Sequence, residues 1–176
     1  MSAGEAVVIT VRLAVPLLIL RNALLGGLAA MLVDALDVVM VSFMHIGGFG
    51  AHYAPLDKGL DTYYLTLELW VALGWASAYA PLPAAGLYVY RLVGVVSFEL
   101  SGWRPLLLMF PNLFENWWLY CVVVARFFPR LYPQSLRSVA WPLLLLLVPK
   151  LGQEYMLHYA EFQPWDWIKR NVIRTS

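Results

Sequence analysis

Long apolar segments follow one another along most of the chain, separated by short turns rich in glycine, proline and polar residues. A helix that crosses a bilayer needs ~20 mostly apolar residues, and each segment is close to that length. The segments are predicted at Ala6–Leu20, Ala23–Met44, Pro55–Ala80, Ala84–Leu100, Pro105–Phe128 and Val139–Tyr159. We expect a break at Pro111-Asn112 in the fifth segment and at Pro149 in the sixth, because proline lacks the N–H that a helix interior requires.

This pattern predicts an all-α fold, a polytopic membrane bundle of about six transmembrane helices. Residues 1–160 would form a single transmembrane helical domain and residues 161–176 a polar C-terminal tail. Tryptophans lie mainly near the predicted helix ends, where an indole suits the membrane–water interface. Met1–Glu5 carries no positive charge, so we expect no cleavable targeting segment and treat the first apolar helix as retained.

The composition strengthens the membrane prediction. Hydrophobic residues make up 61% of the 176 residues and charged residues 13%, whereas soluble domains have about 45–50% and about 25%. A soluble fold cannot bury that much apolar surface, and a disordered chain would be far more polar. The net charge of +1 indicates no nucleic-acid partner. The single cysteine, Cys121, excludes a disulfide within the chain and a cysteine-cluster metal site. Membrane lipids are the predicted partners, and a homo-oligomer or a membrane partner subunit is left open.

Basic residues near the ends of the predicted helices and in the segments between them favour one orientation by a single residue. One side of the predicted bundle carries Lys58, Arg104, Lys169, Arg170 and Arg174, and the other carries Arg21, Arg126, Arg130 and Arg137. This difference predicts a multi-pass protein of the cell membrane with both termini in the cytoplasm.

Nearly every predicted helix contains an ionisable residue, although a charge at the bilayer centre costs ~2.5–3.5 kcal/mol. The residues are Arg12, Asp34, Asp37, Asp61, Glu68, Arg91, Glu115, Lys150, Glu154 and His158. We expect them to face the bundle interior, where they pair with one another or line a wet cavity. Simple neutralisation is an open alternative, with Lys150 paired to Glu154 and Arg12 or Arg91 paired to an acid of a neighbouring helix.

Four aspartates lie on two consecutive helices that face one connecting loop. They are Asp34, Asp37, Asp57 and Asp61. The steps of three and four residues place each pair on one helix face. Lys58 is the only base among them, so they would repel one another unless a proton or a divalent cation joined them. All-oxygen sites suit Mg²⁺, Mn²⁺ or Ca²⁺, so the aspartates are a candidate metal site. Alternatively, Asp57 only caps the third helix and Asp34 and Asp37 alone are buried.

The same aspartates resemble the signature of the CDP-alcohol phosphotransferases, D-x2-D-G-x2-A-R followed by G-x3-D-x3-D. Asp34-Ala35-Leu36-Asp37 is similar to the first acidic pair, and Asp57-Lys58-Gly59-Leu60-Asp61 is similar to the second. The family consists of membrane enzymes with six spans that transfer a phospholipid head group. The layout is similar as well, because the first pair falls late in the second predicted helix and the second pair opens the third.

The chain departs from this signature outside the acids. Val38 stands in place of a glycine, Val41 and Ser42 in place of the Ala-Arg pair, and Tyr53 in place of the later glycine. In the family these positions contact the cytidine nucleotide and allow its close approach. The resemblance therefore implies metal binding more directly than it implies CDP-alcohol binding.

Taken at face value, the resemblance implies a Mg²⁺-dependent phosphotransferase of lipid metabolism. The ligands of Mg²⁺ or Mn²⁺ would be Asp34, Asp37, Asp57 and Asp61. Asp61 would also be the catalytic base that accepts a proton from the acceptor hydroxyl. Arg91 and Arg126 are candidate phosphate-binding residues, because a guanidinium matches phosphate geometry in a bidentate way.

Two other functions stay open. Broken, charged helices are typical of transporters, in which the freed backbone groups line a cavity or an ion pathway. An ion- or proton-coupled transporter or channel would use a relay of interior ionisable residues. That relay would comprise Glu68, Glu115, Lys150, Glu154 and His158. The third alternative is a non-catalytic membrane subunit whose buried charges pair with a partner protein.

Overall fold

The computed structural model describes residues 3–43 and 53–156, with side chains for residues 5–36 and 56–156. Every regular element in these ranges is helical, which confirms the predicted all-α fold class. The predicted polar tail, His158 and the side chain of Asp37 lie outside the described residues.

The described helices follow the order of the predicted segments. They are α1 (Ala3–Ala14) with a 3₁₀ segment (Val15–Leu20), α2 (Ala23–Phe43), α3 (Tyr53–Leu73), α4 (Pro81–Ser101), α5 (Pro105–Met109), α6 (Leu113–Phe127), a short 3₁₀ segment (Pro129–Leu131) and α7 (Leu136–Glu154). The first predicted segment corresponds to α1 and its 3₁₀ continuation, and the fifth corresponds to α5 and α6 together.

Proline and glycine set the ends of α4. Pro81 occupies its first turn, where the missing N–H has no helical partner to lose, so α4 begins earlier than the predicted Ala84. Gly102 ends α4 with a φ of 67°, a left-handed conformation that glycine adopts without strain. The preceding helix, α3, ends at Leu73 rather than at the predicted Ala80, and residues 74–80 form turns.

Only one of the two predicted helix breaks is found. The chain leaves the helical conformation between Met109 and Leu113, which separates α5 from α6 as predicted. The predicted interruption at Pro149 is wrong, because α7 continues through Pro142 and Pro149 without a break. Apolar helices tolerate such prolines when neighbouring helices and local adjustments satisfy the freed carbonyls. The uninterrupted turn keeps Lys150 and Glu154 on one face of α7.

The centre of the described bundle is α6, which packs against α2, α3, α4 and α7. Its Phe114, Trp117, Trp118 and Cys121 are fully buried. The Trp118 ring reaches α2 at Gly27, where an added Cβ would lie 2.7 Å from Cη2 of the indole. This close approach brings α2, α3 and α6 together around the polar residues described below.

Among the described residues, two segments are long and apolar enough to cross a membrane. They are α4, with 21 residues, and Pro105–Phe127, with 23 residues, which comprises α5, the break and α6. Within the described part of α2, Ala23–Leu36 is a shorter apolar helix. Acidic and basic residues lower the hydropathy of α3 and α7, so the predicted six-span bundle is supported only in part.

Candidate functional site

A buried guanidinium joins three aspartates of two other helices. Arg12 on α1 is 4% exposed. Its Nη1 donates to Oδ1 of Asp57 at 2.6 Å, and its Nη2 donates to Oδ1 of Asp61 at 2.6 Å and to Asp34. Asp34 lies in the second half of α2, and Asp57 and Asp61 lie one turn apart at the start of α3. These positions meet where α1, α2 and α3 pack against one another.

Lys58 completes this group, which we call the arginine cluster (Arg12, Asp34, Asp57, Lys58 and Asp61). The Nζ atom of Lys58 lies 3.1 Å from Oδ2 of Asp57 and 3.4 Å from Oδ2 of Asp61. The described cluster thus contains three carboxylates and two cations, joined by charge-assisted hydrogen bonds that are stronger than neutral ones.

The arginine cluster corrects one assumption of the sequence analysis. Lys58 is not the only basic residue beside the aspartates. Arg12 also contacts them, although it lies on α1, 22 residues before Asp34 in the sequence. The available signal was a lone arginine in an otherwise apolar helix, which has to find an acidic partner in the bundle. The predicted pairing of Arg12 with an acid of a neighbouring helix is confirmed.

The predicted metal ligands are brought together in part. One carboxylate oxygen from each of Asp34, Asp57 and Asp61 lies within 4.8 Å of the other two. Arg12 contacts all three of these carboxylates, so its guanidinium takes the place that a divalent cation would need. The donor set fits Mg²⁺ only if Arg12 withdraws from it.

A second polar group surrounds Glu115, near the start of α6. The Tyr64 hydroxyl donates to Oε1 of Glu115 at 3.1 Å, and Nδ2 of Asn112 donates to Oε2 at 2.9 Å. The backbone N–H of Asn112, freed by the break before α6, donates to Oε1 of Glu154 at 3.1 Å. Nζ of Lys150 lies 3.4 Å from the same Glu154 oxygen.

Glu68 is buried beside this group without a hydrogen-bond partner for its carboxyl group. Its exposure is 0%, and neither carboxyl oxygen has a partner among the described residues. The indole N–H of Trp118 donates to the main-chain carbonyl of Glu68 at 2.7 Å, not to the side chain. The carboxyl groups of Glu68 and Glu115 are close enough to interact electrostatically. We call this set the glutamate cluster; its members are Tyr64, Glu68, Asn112, Glu115, Lys150 and Glu154.

A small cavity separates the two clusters. Its polar lining includes Asp61 from the arginine cluster, Asn112 from the glutamate cluster, and Arg91 from α4. The volume open to the centre of a water molecule is about 20 Å³, and a single water needs at least ~10–15 Å³ by that measure. Nη1 of Arg91 also donates to the carbonyl of Phe110 at 3.0 Å, a backbone group freed by the same helix break.

The structure distributes the described site residues over four places. Asp34, Asp57 and Asp61 lie in the arginine cluster, and Glu68, Glu115, Lys150 and Glu154 lie in the glutamate cluster. Arg91 lines the cavity between them, whereas Arg126 lies at the far end of α6. The predicted pairing of Lys150 with Glu154 is confirmed.

Two polar residues of the glutamate cluster were missed. Tyr64 lies three residues after Asp61 and four before Glu68, so helical periodicity places it on the charged face of α3. Asn112 lies at the predicted break and three residues before Glu115, which places its amide next to that acid. Both signals are present in the sequence. Neither side chain is charged at neutral pH, however, so a search for charged residues does not find them.

The chain matches no protein-family model, no curated protein and no solved structure. The resemblance to the CDP-alcohol phosphotransferases therefore stays a hypothesis that rests on the acidic residues alone.

Proposed function

We propose that the chain is a multi-pass membrane protein. Charged side chains are buried in its described part, where Arg12, Glu68 and Glu154 are at most 4% exposed. Large apolar side chains face outward instead, with Leu100 at 84% and Leu136 at 79% exposure. An outer surface of this kind fits lipid, and intramembrane charges face the interior. The number of spans and the cytoplasmic location of the termini stay predictions.

We further propose that the protein is a proton-coupled membrane transporter. The observation that carries this function is the buried Glu68 carboxyl group, which has no hydrogen-bond partner among the described residues. An ionised carboxylate in such a site is far too costly, so Glu68 holds a proton when it is enclosed. A neutral acid inside a membrane protein, next to further carboxyl groups, is suited to exchange that proton with them.

Contacts between described residues support a route for the proton. Asp61 and Asn112 line the same cavity, and a water molecule there would lie between the arginine cluster and the glutamate cluster. Asn112 is hydrogen-bonded to Glu115, and Glu115 interacts electrostatically with Glu68. The proposed route leads from Asp61 through the cavity to Glu115, and its last step to Glu68 requires a bridging water or a side-chain movement, because the Glu68 carboxyl group has no hydrogen-bond partner among the described residues.

One face of α3 lines most of this route. Asp57, Asp61, Tyr64 and Glu68 follow one another at steps of four, three and four residues, the spacing of one helix face. The Tyr64 hydroxyl, between the two ends of the route, donates to Glu115. Movement of α3 relative to α6 would change the access of all these groups together.

Carbodiimide labelling tests the protonation of Glu68. Dicyclohexylcarbodiimide is an apolar reagent that reacts with protonated carboxyl groups, so it should label Glu68 in the membrane-embedded protein. Labelling should fall as the pH rises, because the reactive protonated form is lost. Mass spectrometry should be used to compare the fragment that contains position 68. That fragment should carry no label in Glu68→Gln and the same amount of label as the parent in Glu99→Gln, which alters an exposed acid of α4. Labelling that spares Glu68 in the parent protein would contradict its proposed role.

Proton flux into liposomes tests the function itself. The protein is reconstituted with a pH-sensitive dye inside the vesicles, and a potassium diffusion potential drives proton entry. Glu68→Gln and Glu115→Gln should reduce the flux to the level of empty liposomes, whereas Glu99→Gln should leave it unchanged. Equal flux in all three variants would exclude the route through the glutamate cluster.

A second candidate function is a Mg²⁺-dependent phosphotransferase. The observation that favours it is the convergence of Asp34, Asp57 and Asp61. These residues would hold Mg²⁺ once Arg12 withdraws, and the bound ion would polarise a phosphate oxygen. Asp61 would then accept the proton of the acceptor hydroxyl, and the cavity-lining Arg91 would contact phosphate. Arg126 lies too far along α6 to share that site.

Thermal unfolding with Mg²⁺ separates the two candidates. A cation that binds only the folded protein stabilises it by ~2.7 kcal/mol at a hundredfold excess over its Kd. In the enzyme, Mg²⁺ should raise the Tm, Arg12→Gln should enlarge the shift, and Asp34→Asn with Asp61→Asn should abolish it. No shift in either the parent protein or Arg12→Gln would remove the enzyme hypothesis. Calorimetry with a CDP-linked alcohol in Mg²⁺ then tests the nucleotide.

A further inference from the structure

A large groove opens at the end of the bundle opposite the arginine cluster. It has a volume of about 610 Å³, which falls in the size range of ligand pockets. The start of α2 contributes Asn22 and the apolar residues that follow it, and the turn after α3 contributes Trp75. The last turns of α6 contribute Ala125 and Arg126. The groove thus has an apolar wall, a tryptophan and one guanidinium.

Among the described residues, this end of the bundle carries positive charge and no acidic residue. Arg126 lines the groove, and the same end bears Arg21, Arg130 and Arg137, all of which are exposed. Residues 15–26, 70–84 and 122–139, which form this end, contain no aspartate or glutamate. A hydrogen bond joins the second of these segments to the third, since Ser77 donates to the carbonyl of Pro133 at 2.9 Å. An exposed arginine surface with an apolar groove beside it is complementary to an anionic amphiphile.

We propose that this groove binds one anionic phospholipid. The phosphate would contact Arg126, with Asn22 as a neutral hydrogen-bonding neighbour, and an acyl chain would lie along the apolar wall. Basic pockets between membrane helices recognise anionic head groups through this chemistry, and Trp75 suits the interfacial depth. The inference rests on the membrane location proposed above and is independent of proton transfer, because Glu115 lies three turns away on α6.

Electron spin resonance of labelled lipids tests the site. The parent protein is reconstituted in phosphatidylcholine with a trace of spin-labelled phosphatidylglycerol or spin-labelled phosphatidylcholine. The ratio of the two association constants measures the head-group preference. We expect the parent to prefer phosphatidylglycerol, and we expect Arg126→Gln to lower the ratio by about fivefold, as loss of one contact to an anionic head group implies. Arg130→Gln, a matched loss of charge outside the groove lining, should lower it much less.

A second variant separates the groove from the charge. Ala125→Trp leaves the net charge unchanged but fills the groove at an exposed position, so it should also abolish the preference. Circular dichroism should show unchanged helix content in all three variants. Equal losses in Arg126→Gln and Arg130→Gln would show a diffuse charge effect and overturn the site. A parent ratio of unity, or a preference that survives in Ala125→Trp, would overturn it as well.

Discussion

The side chain of Arg12 links α1 to two other helices of the described structure. It contacts acids of α2 and α3 at once, so three helices share one guanidinium. Buried ion pairs of this kind contribute little net stability when intact, but the loss of one partner leaves uncompensated charge. The same logic applies to Lys150 and Glu154, which lie one turn apart on α7 and are both buried.

Substitution of Arg12 should therefore be strongly destabilising. Arg12→Gln leaves Asp34, Asp57 and Asp61 with Lys58 as their remaining described cation, and we expect a loss of ~3–5 kcal/mol in unfolding free energy. Arg21→Gln, an exposed arginine at the other end of the bundle, should change it by no more than about 0.5 kcal/mol. Unfolding in mixed micelles measures both values. Equal effects of the two substitutions would show that the arginine cluster is not formed.

Lys150 and Glu154 should behave as a coupled pair in a double-mutant cycle. Lys150→Met and Glu154→Gln each leave a buried partner without its opposite charge, whereas the double substitution removes both charges. We expect a coupling energy of ~0.5–3 kcal/mol, with the double variant more stable than the sum of the single effects predicts. Strictly additive losses in unfolding free energy would show that the two side chains do not interact.

The break between α5 and α6 connects the glutamate cluster with Arg91, which lines the cavity. It frees the carbonyl of Phe110, which accepts from Arg91 of α4, and the N–H of Asn112, which donates to Glu154 of α7. Charged side chains of two other helices thus satisfy backbone groups that lipid would leave unpaired. The close approach of α4 depends on Gly94, where an added Cβ would lie 2.7 Å from Cγ of Phe110.

Two glycines of α4 should respond in opposite directions to the same change. Gly94→Ala places a methyl group against Phe110, and overpacking of this kind typically costs ~1–3 kcal/mol. Gly86→Ala meets nothing within 4 Å and should stabilise α4 by about 0.5–1 kcal/mol, because alanine is the better helix former. Thermal melting of both variants checks the signs. A gain in Tm for Gly94→Ala would contradict the packing of α4 against the break.

The described bundle encloses charged residues within an apolar core and exposes many large apolar side chains. Leu145 and Val148 on α7 are more than 70% exposed, as is Trp70 near the end of α3. In water such a surface would promote aggregation, whereas in lipid it contacts acyl chains of the same polarity. The interior clusters are then separated from the bilayer by the apolar faces of their own helices.

A lysine scan along the outer face of α7 should depend on depth. Leu145→Lys places a charge near the middle of the helix and should cost ~2.5–3.5 kcal/mol of insertion or more. Leu136→Lys, at the first residue of α7, should cost far less, because its side chain can reach the interface. A translocon insertion assay of α7 measures both. In a soluble fold the two exposed positions would tolerate lysine equally, within about 0.5 kcal/mol.

Much of the secondary structure was readable without the fold. The apolar segments predicted the helices in order, and the break at Pro111-Asn112 was located correctly. Proline was a poorer guide at Pro81, which starts a helix, and at Pro149, which does not interrupt one. The missing N–H of proline costs no hydrogen bond in the first turn of a helix but leaves a carbonyl unpaired in the interior. The residues that satisfy such a carbonyl come from neighbouring helices, so the local sequence does not show them.

Composition and helical spacing were sufficient to infer an apolar, all-helical chain with ionisable residues in the interior of the bundle. These properties depend on the sequence of each segment alone. The tertiary structure decided which charges meet. Arg12 joins Asp57 and Asp61 across 45 and 49 residues, and Asn112 joins Glu154 across 42 residues. Spacing places a side chain on a helix face but leaves the rotation and depth of that helix undetermined. Contacts such as Trp118 against Gly27 set both, and for that reason the sequence predicted an acidic partner for Arg12 without indicating which acids it would contact.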